Sequence, residues 1–419
     1  MGNYILALNC GSSSLKFTLF SLLEGNKLEH NIAGVVEEIG NSSRSRIKIE
    51  VNGSKEVIDS PLQDHQVALM EVFAQFDKNG IHKEDIKGVG HRVVHGGTKY
   101  NTSVKIDSDV IETIKDLIPI APLHNPPNLL GIDVAMGLLP DIQHVAVFDT
   151  AFHATLPEYA FRYGIPQSWY EEFGVRTYGF HGTSHMYVAK RGAKFLGIEA
   201  SAFNGITAHL GNGCSLTKIE NGRSVDTSMG FTPLEGVIMG TRSGDLDPAV
   251  ISHVTDNLMK KEGISHEEAF NQVMHALNKA SGLQALGGTN MMQDIRSKAE
   301  AGDLEAETVI SIYAYRIAKY IGAYWATLPS CDALIFTAGL GENEGYVRKK
   351  ILGFLGNIDF EVMDESNKVR GKEIQIARSE KNNMAVLVIP TDEESVIGYD
   401  TLYLGYLGEG IPKVYPFED

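Results

Sequence analysis

The chain of 419 residues carries 37 Lys and Arg against 53 Asp and Glu, a formal net charge of −16, with 43% apolar and 21% charged residues. This is an ordinary globular balance: it excludes a disordered or low-complexity chain and argues against nucleic acid or an anionic membrane as a partner. The length suits two domains with their own cores and directs attention to a cleft between them.

Cys10, Cys214 and Cys331 stand far apart without CxxC spacing. Neither a disulfide framework nor a zinc site is expected, and a reducing cytoplasm fits. No basic leader precedes an apolar stretch and no apolar run approaches about eighteen residues, so the expectation is a protein neither exported nor membrane-spanning.

Tyr4 to Phe17 reads YILALNCGSSSLKF, two strands around a turn richer in hydrogen-bonding groups than a hairpin requires. Arg92 lies in GVGHRVVHGG, either as an interior ion pair or as a functional cation, and His124 is held among prolines in APLHNPPN. HVAVFDTAFHATLP puts Asp149 at the end of a buried strand, where ligands meet α/β sheets. In YGFHGTSH, His181 and His185 are one helical turn apart; a helix start capped by Thr183 or Ser184 competes with a metal pair, and the missing HExxH pattern counts against zinc.

Ile206 to Val225, ITAHLGNGCSLTKIENGRSV, repeats the strand-loop-strand device. Aligning Ser14-Leu15 with Ser215-Leu216 sets Gly11 opposite Asn212 and Ser12 opposite Gly213, which suggests two domains of like topology unless the likeness is chance. GTRSGDLDP is either a surface turn or the seat of Arg242 for a planar anionic group. Leu304 to Leu328 shows helical spacing of Val309, Ile310, Tyr313, Ile317, Tyr320, Ile321 and Tyr324, followed by a strand Ala333 to Phe336 and a turn TAGLGENE. Gly339-Leu340-Gly341 is only a fragment of a dinucleotide fingerprint and GxxxxGK[ST] is absent, which leaves glycine-rich turns cradling phosphates by another geometry. The strand in MAVLVIPTDEESVI ends on Asp392, Glu393 and Glu394, an acidic helix start or a Mg²⁺ site through one or two carboxylates. Together these are the parts of phosphoryl transfer: glycine-rich turns, a metal-binding acid, and Arg with His for the transferred group.

The segments NCGSSSLK, HRVVHGG, FDTAFH, GFHGTSH, AHLGNGCS, GTRSGDLDP, TAGLGEN and PTDEE, in that order, make the chain resemble the acetate kinase family of the acetate and sugar kinase, heat-shock ATPase and actin superfamily. The resemblance implies an α/β fold of two domains with duplicated ribonuclease H-like, actin-like ATPase topology and an interdomain active-site cleft. It puts residues 1–150 and about 385–419 in one domain and 151–384 in the other. It implies reversible transfer of the γ-phosphoryl of ATP to acetate, giving acetyl phosphate and ADP, with Mg²⁺ (Mn²⁺ as a substitute), in a cytoplasmic homodimer. Propionate or butyrate kinase of the same family is the alternative.

Carried over position by position, the resemblance makes Asn9 and Glu393 metal-associated and puts Ser12, Ser14 and Lys16 in the first phosphate loop. It makes His209, Leu210, Gly211, Asn212 and Gly213, then Asp294, Ile295 and Arg296, then Gly339, Leu340, Gly341, Glu342 and Asn343 nucleotide-contacting. Arg92 becomes the carboxylate-contacting arginine, Asp149 the catalytic acid, His181 and Arg242 stabilisers of the transition state, and His124 an active-site neighbour. Acetate is already ionised near neutral pH, so Asp149 is expected to orient its neighbours and not to accept a proton. Asp392 replaces the family's usual Asn and adds charge beside the metal carboxylate, while Cys10 and Cys214 are expected as small packing residues.

Overall fold

The computed structural model describes residues 2–418, which divide into two compact units, residues 2–154 with 392–418 and Thr155–Thr391. The first is built on an eight-stranded sheet of β1 (Tyr4–Cys10), β2 (Leu15–Leu23), β3 (Lys27–Glu37), β4 (Arg46–Val51), β5 (Ser54–Asp59), β6 (Ile86–Val93), β7 (Val104–Lys105) and β8 (Gln143–Phe148). Its spatial order is β5-β4-β3-β2-β1-β6-β8-β7. The hairpins β1 to β5 are antiparallel, whereas β6 lies parallel to both β1 and β8.

Sequence explains the parallel centre. Leu6, Leu8 and Val89 are buried on one face, and Ala7, Val145 and Val147 belong to the core on the other, as strands covered on both sides must be. On the first face packs the helix His65–Lys78, started by Asp64, whose carboxylate accepts from Val67 N at 2.8 Å. The C-terminal helix Glu393–Asp400 adds Ile397 to the second core.

The second unit has a seven-stranded sheet of β9 (Gly205–Leu210), β10 (Cys214–Glu220), β11 (Arg223–Thr227), β12 (Ala333–Thr337), β13 (Glu361–Val362), β14 (Ile374–Ser379) and β15 (Met384–Val388), in the order β11-β10-β9-β12-β15-β14-β13. An antiparallel hairpin β9-β10 followed by β12 and β15, parallel to β9 and to each other, repeats the arrangement of β1-β2, β6 and β8. The duplication expected from the sequence is present, with a different register. Cys10 pairs with Leu15 and Leu210 with Cys214, so the first loop holds residues 11–14 and the second only 211–213. Leu15 therefore matches Cys214, not Leu216. The division also falls at Thr391/Asp392 and not near 385, because Met384–Val388 is a strand of the second sheet paired with β12.

The long helix runs Leu304–Thr327, capped by Asp303, whose carboxylate accepts from Glu305 N and Ala306 N. It buries Val309, Ile310, Tyr313, Ile317, Ile321 and Tyr324. Tyr320 departs from the expected face: it is partly exposed and donates to Asp245 Oδ2 at 2.6 Å. The expected turn after β12 is instead a short helix, Ala338–Asn343, entered through Ala338 at φ 63°.

Candidate active site

In the first unit the polar residues gather where strands β1, β6 and β8 end. The loop after β1 closes through Gly11 N donating to Ser14 O at 2.8 Å, and a Cβ on Gly11 would stand 2.8 Å from Ser14 Oγ. Ser12 is exposed and Ser14 half-buried; Lys16 leaves β2 and forms an ion pair with Glu394. Cys10 packs against the helix Asn125–Leu138, where a Cβ on Gly131 would come within 2.2 Å of its Sγ, and burial pushes its thiol up to about 12. Cys214, buried under Tyr313, is pushed up to about 11. Both behave as packing residues.

Arg92, the penultimate residue of β6, meets Asp149 just past β8 in a two-pronged pair. Nε donates to Oδ1 at 2.8 Å and Nη2 to Oδ2 at 2.6 Å, with Asp149 only 1% exposed. The fork leaves the Nη1 edge of a guanidinium that is 20% exposed. Burial would discharge Arg92, but Asp149 more than offsets it and raises the guanidinium further above its ordinary value. Glu393 lies 3.9 Å from Arg92 Nε, and burial pushes its carboxyl up to about 7 despite that arginine, with Asp149 and Glu394 adding like charge. Asp149, Glu393 and Glu394 thus gather with Arg92 and Lys16 where the strands end.

Asp392 does not join that cluster as a ligand. It caps the C-terminal helix, accepting from Ser395 N at 3.0 Å and Ser395 Oγ at 2.5 Å, and its Oδ2 pairs with His30 Nε2 at 2.9 Å. His124 stands at the start of the helix Asn125–Leu138. Two residues of that helix were missed by sequence reasoning. Asn125 donates to His95 O at 3.3 Å, and Asn128 accepts from Val94 N at 3.0 Å while donating to Cys10 O at 2.9 Å. Both are buried amides flanking a proline pair, and nothing in the sequence marks them as buried.

In the second unit the loop after β9 carries no Cβ at its two glycines. Gly211 N donates to Gly213 O at 3.0 Å, and Asn212 O accepts from Gly240 N at 2.9 Å. A Cβ on Gly213 would lie 3.3 Å from His181 Nε2 and 3.5 Å from Arg242 Nη1, so an imidazole edge and a guanidinium edge converge on this backbone. His181 caps the helix Gly182–Leu196 in a left-handed conformation, φ 56° and ψ 28°, a cost that its position over the loop accounts for. Its ring stacks on that of His209 with centroids 4.1 Å apart.

The segments expected to contact the nucleotide divide. Asp294 and Arg296 lie towards the surface of the helix Met292–Glu300, and Arg296 Nε pairs with Glu344 Oε2 at 3.1 Å. Ile295 and Leu210 are buried core side chains, so only their backbone is left for a ligand. Gly339 and Asn343 shape the short helix, with Asn343 Nδ2 donating to Gly339 O at 2.8 Å; Leu340 is half-buried. Glu342 turns inward to accept from Thr391 N at 3.1 Å, and burial raises its carboxyl. Arg348, 1% exposed, donates to Gly341 O at 2.8 Å and so props the glycine turn from behind.

The model of the acetokinase family matches residues 4–399. Acetate kinase of Carboxydothermus hydrogenoformans is 44% identical over 96% of this chain and 98% of its own length. That of Bacillus mycoides is 46% identical over 96% and 99%. Among solved structures, acetate kinase of Porphyromonas gingivalis superposes with a TM-score of 0.84 at 39% identity, covering 96% and 99% of the two chains. A propionate kinase from Francisella tularensis gives 0.87 at 38%, covering 95% and 99%. The two repeated α/β units thus have the actin-like ATPase fold, and the chain belongs to the acetokinase family.

Proposed function

We propose that this chain is an acetate kinase, moving the γ-phosphoryl of ATP reversibly to acetate. The observation that carries the reading is the approach of the His181 ring edge and of Arg242 Nη1, which also donates to Pro233 O at 3.4 Å, to the side-chain-free backbone at Gly213. Such a pair suits a planar phosphoryl group in flight.

On this reading Arg92, oriented by the Asp149 fork, presents its Nη1 edge to the acceptor carboxylate, and His124 lines the same end of the first unit. A carboxylate oxygen attacks the γ-phosphorus in line, the bond to the β–γ bridging oxygen breaks, and ADP leaves with its electrons. Asp149 accepts no proton, since the acceptor has none to give. The main barrier is the meeting of two anions, which Arg92 and Arg242 lower. Asn9 and Glu393 would hold Mg²⁺, which supplies charge neutralisation of the phosphates when bound. No group of three or more His, Cys, Asp or Glu able to hold a metal ion is found among the described residues. Ser12, Ser14 and Lys16, residues 209–213, Asp294 to Arg296 and residues 339–343 would take the nucleotide and its phosphates, ATP or ADP.

No helix among the described residues is long and apolar enough to cross a membrane, and the three cysteines are free and buried; a cytoplasmic homodimer is part of the proposal. Acetyl phosphate formation trapped with hydroxylamine tests the function over acetate, propionate and butyrate, with ATP and pyrophosphate as donors. Acetate with ATP is expected to give the highest kcat/KM. Preference for propionate or butyrate, or for pyrophosphate, would overturn the assignment.

A further inference from the structure

In the second unit one line of hydrogen bonds runs through four side chains, and its hydrogens can run in only one direction. Thr207, on β9, is wholly buried, and its hydroxyl has a single side-chain partner among the described residues, His185 Nδ1 at 2.7 Å. A hydroxyl hydrogen sealed from water is costly to leave without an acceptor. Thr207 therefore donates, and His185 Nδ1 accepts. The hydrogen of the neutral His185 ring is then on Nε2, which donates to Ser215 Oγ at 2.7 Å. Ser215, also wholly buried, has one hydrogen and one further partner, His181 Nδ1 at 2.8 Å. It donates there, and the hydrogen of His181 stands on Nε2, the atom that faces Gly213 and Arg242.

We propose that Thr207, His185 and Ser215 are positioning residues that hold His181 as a neutral imidazole with its hydrogen on Nε2, so that it meets the transferring phosphoryl as a hydrogen-bond donor and not as a cation. The proposal rests on the phosphoryl-transfer reading of this site and makes the proton state of its histidine specific. A proton added at His181 Nδ1 would have to donate to Ser215, which would turn its own hydrogen to His185 Nε2. His185 would then carry its hydrogen on Nδ1 and strand the hydroxyl hydrogen of Thr207.

The groups facing the His181 ring act in the same direction. Arg242 brings a positive charge to the Nε2 edge, His209 stacks on the ring and His185 follows one turn along the helix. The ring also sits at the N-terminus of a 15-residue helix, whose dipole disfavours a cation there. The site thus keeps a donor of constant strength across the pH range in which an ordinary histidine gains charge.

The test is ¹⁵N-histidine NMR on the full chain without substrate, which reports ring tautomer and titration whether or not the protein turns over. His181 is expected as the Nε2–H form, remaining neutral well below the ordinary histidine value of about 6.5. Thr207→Val, nearly isosteric, removes the directing hydrogen and is expected to raise the His181 titration by about one to two pH units. The acidic limb of kcat should follow it, with the KM for ATP unchanged. Should that variant fail to fold, Ser215→Ala serves instead: His181 is then expected as a mixture of tautomers, with kcat down by about tenfold or more. An Nδ1–H form in the unaltered chain, titration of His181 near 6.5, or a variant that leaves tautomer and titration unmoved would overturn the proposal. Failure of acetyl phosphate formation would instead overturn the functional reading and leave the tautomer assignment standing.

Discussion

Arg92 and Arg242 share a charge and differ in what their loss would expose. Truncating Arg92 strands a carboxylate that is 1% exposed and removes both prongs of its fork. Arg92→Ala is therefore expected to cost about 3–5 kcal/mol of stability as well as activity, seen as a lowered urea midpoint. Arg242→Ala is expected to lower kcat by about 10²–10³-fold while the Kd for ATP, read by calorimetry, changes little. A large loss of ATP affinity with kcat preserved would remove Arg242 from the transferring group. Asp149 was legible in the sequence because an acid ending an apolar strand is conspicuous. Asn128 was not, since its task is to bridge two backbones that lie 34 and 118 residues away along the chain.

At the scale of elements, the C-terminal helix is fastened by a buried acid at its end. Asp400 accepts from Ser103 Oγ at 2.5 Å and Tyr415 O–H at 2.7 Å, yet burial still pushes its carboxyl up to about 6. The folded value exceeds the unfolded one, so the neutral acid favours folding below about pH 4 and that contribution is lost as pH rises through about 6. In Asp400→Asn the stability should lose this downward slope, a change of order 3 kcal/mol between those limits in pH-resolved urea titrations. An unchanged slope would show that Asp400 stays ionised throughout.

The hairpin repeat was readable from apolar strands on either side of glycine-containing turns. Its register was not, because composition does not reveal that one loop is a residue shorter. The helix after β12 was hidden for a related reason. Ala338 adopts φ 63°, a conformation that sequence assigns to glycine, and glycines read as a turn continue as a helix.

For the whole molecule, buried histidines set the acid limit. His144 Nε2 donates to Leu139 O at 3.0 Å, and its Nδ1 accepts from His91 Nε2 at 3.0 Å, so both rings are held neutral. Burial lowers both, His91 well below its ordinary value with His144 opposing its charge, and lowers His95 to about 4. Values depressed on folding contribute stability above about pH 6.5 that is lost as pH falls. The three histidines are expected to pull urea midpoints down between about pH 6.5 and 4, against the opposite slopes of the raised carboxyls of Glu393, Asp400 and Glu342. His144→Gln should shallow the drop.

The arrangement of two repeated units was legible because buried strands and glycine loops recur about 200 residues apart. The division at Asp392 was not, since the final apolar strand gives no hint of which sheet it joins. In the first unit, the amide of Asn128 is bonded at once to the end of β1 and to the residue after β6. A displacement of either strand end would stretch a hydrogen bond to the same amide, so the two ends are mechanically tied. Asn9 and Arg92 stand next to these tied ends, so on the reading proposed above one amide sets the spacing between the metal-associated and the acceptor-binding side chains.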